Sequence, residues 1–91
     1  MEFEYNKDKS RTNVLKHGIT LEEATELWHV PSVQIEARFA DEERRMIIGK
    51  LNDKCYSCIF TIRDGKIRLI SARRSRMNEE GIYNEQIKKN D

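Results

Sequence analysis

The residues best able to do chemistry lie in one run, 66–76, where a strand pattern reading KIRLISA gives way to Arg73, Arg74 and Arg76. A guanidinium is planar and offers its donors as a fork, so it meets the two oxygens of a phosphate or carboxylate with parallel hydrogen bonds. Arginines at a strand end therefore suit an anion site, although a solvated loop has the same composition. Strict alternation puts Ile67, Leu69, Ser71 and Arg73 on one face and Arg68, Ile70, Ala72 and Arg74 on the other. The two adjacent arginines would then meet different ligands. Cys55 and Cys58 fall within strand alternation and point to opposite faces; with no second cysteine pair and no paired histidines, they read as free thiols rather than a metal or redox pair. His29, beside Trp28 and near Pro31, has no matching partner and reads as structural or exposed.

These groups must be positioned by a chain of 91 residues, which makes a single domain, 1–91. A chain of this size buries roughly 60 to 65% of its extended surface, so a stable partner would supplement its core. Seventeen basic residues face sixteen acidic ones, giving a net charge of only +1 although 36% of the chain is charged. A nucleic-acid role would rest on where charge is concentrated, not on the total. No apolar run reaches the length of a spanning helix, and the N-terminus lacks the apolar core of a secretion signal, so a cytoplasmic location without membrane contact is the default expectation.

Phe3 and Tyr5 alternate with Glu2 and Glu4 as in a short edge strand. Asn6 can cap a helix from about Lys7 to His17, with Gly18 supplying a left-handed stop and Val14 and Leu15 a small apolar contact. Thr20 and Glu23 form a capping-box signature, with Ile19 and Ala24 as a hydrophobic staple. Leu21, Ala24, Leu27 and Trp28 then make one apolar stripe, predicting a second helix to about His29, ended by Pro31, with Trp28 as a core anchor. Four strands follow: Val33–Phe39, then after the polar turn ADEER about 45–51, about 55–63, and a fourth entered through the Asp64-Gly65 hairpin turn. A terminal helix to about Lys89, capped by Ser75 and weakened by Gly81, completes an α+β domain: short N-terminal strand, two helices, four-stranded antiparallel meander, C-terminal helix.

Three fragments carry a resemblance: FEYNKDKSRTNVLKHGITLEEA near the start, ERRMIIGK in the middle, and GKIRLISARRSR followed by Glu79 and Tyr83. In this order and over nearly the whole chain they resemble the BrnT family of bacterial type II toxins. The resemblance implies a RelE-like ribonuclease fold and a metal-independent endoribonuclease that cleaves RNA, inhibits translation and needs no cofactor. It also implies neutralisation by a ribbon-helix-helix antitoxin of the BrnA type, with operator DNA bound only through the antitoxin complex. The family's basic positions carry over onto Lys16, His17, Arg73 and Arg74, with Arg63 and Arg76 as further phosphate-binding candidates. Glu79 and Tyr83 match the family's last helix, but Glu80 stands where an arginine is common. That substitution keeps open a second reading, a catalytically degenerate toxin-like protein acting as antitoxin partner or co-repressor.

Metal-free cleavage uses the ribose 2′-hydroxyl as nucleophile, so the protein must supply a proton acceptor, a proton donor and cations around the phosphate. His17, at a helix C-terminus that favours its protonated form, is the candidate acid or phosphate holder, or else a structural capping residue. Arg73 and Arg74 would hold the scissile phosphate or antitoxin carboxylates. Glu79 and Tyr83, four apart, share a helical face, where Tyr83 could donate a proton or position ribose and Glu79 could orient an arginine or accept a proton.

Overall fold

Four successive strands of alternating or continuous apolar character, joined by tight turns, pair in chain order. The structure, a computed structural model, describes residues 2–39 and 42–89. In chain order the elements are β1 (Phe3–Glu4), α1 (Lys7–His17), α2 (Leu21–Ala24), a 3₁₀ segment (Thr25–His29), β2 (Ser32–Phe39), β3 (Glu42–Leu51), β4 (Lys54–Arg63), β5 (Lys66–Arg74) and α3 (Met77–Lys89). Strands β2 to β5 form the expected antiparallel meander, and β1 adds to β5 in parallel, giving the order β1-β5-β4-β3-β2. The β4–β5 hairpin turns on Asp64 and Gly65, both at positive φ (53° and 75°), the conformation a two-residue primed turn requires.

The sheet is covered on both faces. One face packs Ile47, Cys58, Phe60, Ile67, Leu69 and Ala72 against Ile19, Leu21, Ala24 and Leu27. The other packs Met46, Ile48, Cys55 and Ile59 against Tyr83, with Ile87 and the β2 residues Val33 and Ile35 at its margin. Leu21 and Leu27 are fully buried, each contributing about 1.5–3 kcal/mol of transfer free energy. Trp28 is the expected anchor, edge-on to Phe3 at 5.2 Å and to Phe60 at 4.9 Å.

Five local expectations are corrected. The second helix is α-helical only to Ala24; the Thr25 N–H bonds back to Glu22 and its hydroxyl bonds the Glu22 carbonyl at 2.6 Å, so the last turn tightens to 3₁₀. Helix α1 docks through polar groups and not through Leu15, which is 87% exposed. Ser10 accepts the Leu21 N–H at 2.9 Å, and Asn13 accepts the Ala72 N–H at 3.2 Å while donating to the Ala72 carbonyl at 2.7 Å. Asn13 thus stands in for a strand on the edge of β5 beyond the two residues of β1. Strand β3 begins at Glu42 rather than Arg45, its ladder with β2 setting Arg45 opposite Glu36 and running on to Glu42 opposite Phe39; Ala40 and Asp41 of the expected turn lie outside the described residues.

The fourth correction bears on the site. Ile59 pairs with Ser71 but Phe60 pairs with Leu69, leaving Ile70 as an extra residue on β5. This bulge shifts the phase of everything after it. Ala72 joins Ile67 and Leu69 in the core under α2, Ile70 turns to the α3 face, and Arg73 follows it there while Arg74 stays on the face of Ala72. The fifth concerns Ser75, which does not cap α3. The Glu80 N–H bonds to the Arg76 carbonyl at 2.9 Å, so Arg76 is the capping position, and the Ser75 hydroxyl is engaged elsewhere.

Candidate functional site

The bulge turns Arg73 toward α3, whose first turn brings Glu79 down onto the sheet. The two meet end-on: Nη1 donates to Oε1 at 2.7 Å and Nη2 to Oε2 at 2.8 Å. Nη1 also donates to the Arg74 carbonyl at 3.3 Å. A guanidinium has five N–H groups. Three are used, and the Nε–H and the second Nη2–H, which lie along one edge, have no acceptor among the described residues. Arg73 therefore keeps a two-donor fork free, fixed by the opposing carboxylate. Its side chain is 22% exposed against 7% for Glu79, so the free edge reaches solvent while the carboxylate does not.

Glu79 is held by more than Arg73. Its Oε1 also accepts the Ser57 hydroxyl at 2.9 Å and the Arg76 backbone N–H at 2.9 Å. The hydrogen bonds from Arg73 dominate, burial opposes them, and the Arg76 N–H and Ser57 hydroxyl add to them, bringing the carboxyl to about 2. It is an ionised, fully solicited acceptor at neutral pH, with little basicity left for taking a proton. Ser57 is buried in β4 opposite Arg73 and lies 2.7 Å from the Ser75 hydroxyl. Sequence reasoning gave Ser75 only a helix-capping role and did not single out Ser57; the available signal was a small hydroxyl between Tyr56 and Cys58 inside the β4 run.

Tyr83 lies one turn beyond Glu79, buried against Met46 and Ile48, with the Lys50 ammonium 6.0 Å from its ring centre. Lys50, on β3, is a cation at the same end of the sheet that the sequence did not single out. Arg74, on the opposite face, lies over the Tyr56 ring at 5.7 Å and remains exposed. Arg76 is exposed and contributes its backbone N–H. Lys16 and His17 are exposed in the last turn of α1. Because β1 runs parallel to β5 beside Ile67 and Arg68 whereas Asn13 meets Ala72, α1 advances toward the arginine end of β5, and His17 follows Asn13 by about 6 Å of helix rise.

Arg63 is not brought to this end. It pairs with Lys66 at the hairpin, six residues along β4 from Ser57, a separation of roughly 20 Å at strand rise. The cysteines face opposite cores as expected, and burial pushes both thiols up. Among the described residues no three His, Cys, Asp or Glu side chains are grouped as metal ligands would be. No helix among them is long and apolar enough to cross a membrane.

A mixed sheet with helices on both faces, an extra N-terminal strand beside β5 and an arginine locked where the sheet meets its last helix make a small α+β domain. Residues 5–79 match the model of the family described as ribonuclease toxin, BrnT, of type II toxin-antitoxin systems, and the chain belongs to that family. The comparison with curated proteins gave no match.

Proposed function

We propose that this chain is a metal-independent endoribonuclease toxin and that Arg73 is the group that grips the scissile phosphate. The observation that carries this reading is the free Nε/Nη2 fork of Arg73, fixed from behind by Glu79 and open to solvent. Two parallel donors suit the two non-bridging oxygens of a phosphodiester, and their attraction grows as the attacked phosphorus gains negative charge. Glu79 orients the arginine and does not act as the base, because a carboxyl near 2 is too weak an acceptor at neutral pH. His17 at the neighbouring helix end is the candidate for moving the proton, with Tyr83 at the ribose and Lys16 and Arg76 as flanking cations, while Arg74, on the opposite face, is left to meet antitoxin carboxylates.

The family membership supports a cognate antitoxin. A ribbon-helix-helix protein of the BrnA type is the proposed partner, with operator DNA reached only through that complex and the cytoplasm as the site of action. A second reading, a degenerate toxin kept as an antitoxin partner, is favoured by exposed Glu80 in the first turn of α3, a negative charge one residue from the site. Cleavage of a uniformly labelled RNA by antitoxin-free protein in excess chelator, beside its Arg73→Ala variant, separates the two. The ribonuclease reading expects cleavage by the parent and its loss in the folded variant. Intact RNA after prolonged incubation with folded parent refutes it.

A further inference from the structure

We infer that Ser57 and Ser75 are positioning residues that set the angle at which Arg73 presents its free fork; the inference rests on the ribonuclease reading above. The Ser57 hydroxyl has one proton, and it goes to Glu79 Oε1 at 2.9 Å. The 2.7 Å bond between the two serine hydroxyls must then be donated by Ser75. The order is thereby directional: Ser75 donates to Ser57, Ser57 to Glu79, and Glu79 accepts both end-on bonds of Arg73. Oε1 receives three donors, from Ser57, Arg76 and Arg73, whereas Oε2 receives one from Arg73. The carboxylate plane is fixed through Oε1, and the guanidinium, bonded edge to edge, must share that plane.

The serines come from separate parts of the fold, so the device depends on the tertiary structure. Ser57 is 1% exposed in the middle strand of the sheet, facing α3. Ser75 sits in the link from β5 to α3, where its backbone N–H is tied to the Cys55 carbonyl at 2.9 Å. The pair thus ties the carboxylate on α3 to the rigid sheet and to the link on either side of Arg73. Without it, Glu79 keeps Arg73 and the Arg76 N–H but can rotate about its side-chain torsions, and the fork tilts with it. Because the fork matters most when phosphoryl charge develops, the loss falls on turnover more than on ground-state binding.

The test uses full-length parent, Ser57→Ala, Ser75→Ala and the hydroxyl-retaining Ser57→Thr. Three readouts are taken on protein shown to be folded: kcat and KM on a labelled RNA, the carbon-13 titration of the Glu79 carboxyl, and the Arg73 Nη–H signals, which stay resolved while the guanidinium is locked. The expected result for either alanine variant is a kcat lower by about 10- to 100-fold with KM within about 2-fold. The Glu79 midpoint moves up and the Arg73 signals merge, and Ser57→Thr restores all three readouts. Should Ser57→Ala not fold, Ser75→Ala, at a half-buried position, carries the same readouts. Lower thermal stability with unchanged kcat, unchanged Glu79 titration and resolved Arg73 signals would overturn the inference and leave the serines as packing residues. A parent that does not cleave RNA sinks the ribonuclease reading instead, and the two NMR readouts then decide separately whether the serines orient Arg73.

Discussion

Replacing Glu79 by glutamine removes the charge that holds Arg73 while nearly keeping side-chain volume. A carboxyl brought from its ordinary 4.5 to about 2 couples about 3 kcal/mol of folding free energy to its ionisation. The sign follows from the depressed value: the stabilisation is fully present above about pH 5 and is lost as pH falls through 4.5 toward 2. Arg73 stays charged throughout and adds no slope of its own in that range. At neutral pH the glutamine variant leaves the guanidinium facing an amide donor in place of one oxygen. Breaking a buried pair costs roughly 3–5 kcal/mol, and the partial exposure of Arg73 brings the expected loss to about 2–3 kcal/mol. A domain of this length has about 5–14 kcal/mol in hand, so the variant should fold. The assay is urea denaturation of parent and Glu79→Gln at closely spaced pH values from neutral to about 2.5. The parent should lose about 3 kcal/mol more than the variant on acidification, the two curves converging at low pH. Parallel curves would refute the account of Glu79 as a strongly held carboxylate.

Three further outcomes are expected. Asn13→Ala leaves the Ala72 N–H and C=O without their partner and should cost about 2–4 kcal/mol, read as a fall of roughly 8–20 °C in Tm; a fall under about 3 °C would mean that water replaces the amide without penalty. Arg73→Lys keeps the charge but loses the fork. RNA cleavage should drop at least ~10-fold whereas Arg63→Ala, roughly 20 Å away, should change it less than ~2-fold, and the reverse ranking would move the site to the hairpin. Neither thiol should react with a disulfide reagent at pH 8 in folded protein, since both are buried and pushed up; both should react once guanidinium unfolds the chain. Rapid labelling of Cys58 in folded protein would contradict its burial.

Much of the fold follows from local chemistry that needs no partner. Asn6 and Gly18 bound α1, the Thr20–Glu23 box starts α2, and Asp64-Gly65 closes the hairpin, because capping and left-handed turns are decided within a few residues. Strand alternation separated Cys55 from Cys58, and the helical apolar stripe marked Trp28 as a core anchor. The arginine run and the Glu79–Tyr83 spacing were equally legible, since both are fixed by strand and helix periods. Which face each arginine takes was not. A single extra residue, Ile70, reverses strand phase, and a bulge is fixed by how Ile59 and Phe60 pack across two cores, not by the residue itself. The partner of Arg73, the serines behind that partner and the strand-like use of Asn13 join positions far apart in the chain or on separate elements. Their pairing follows from burial, which leaves each polar group to find the nearest donor or acceptor that the packed elements bring to it.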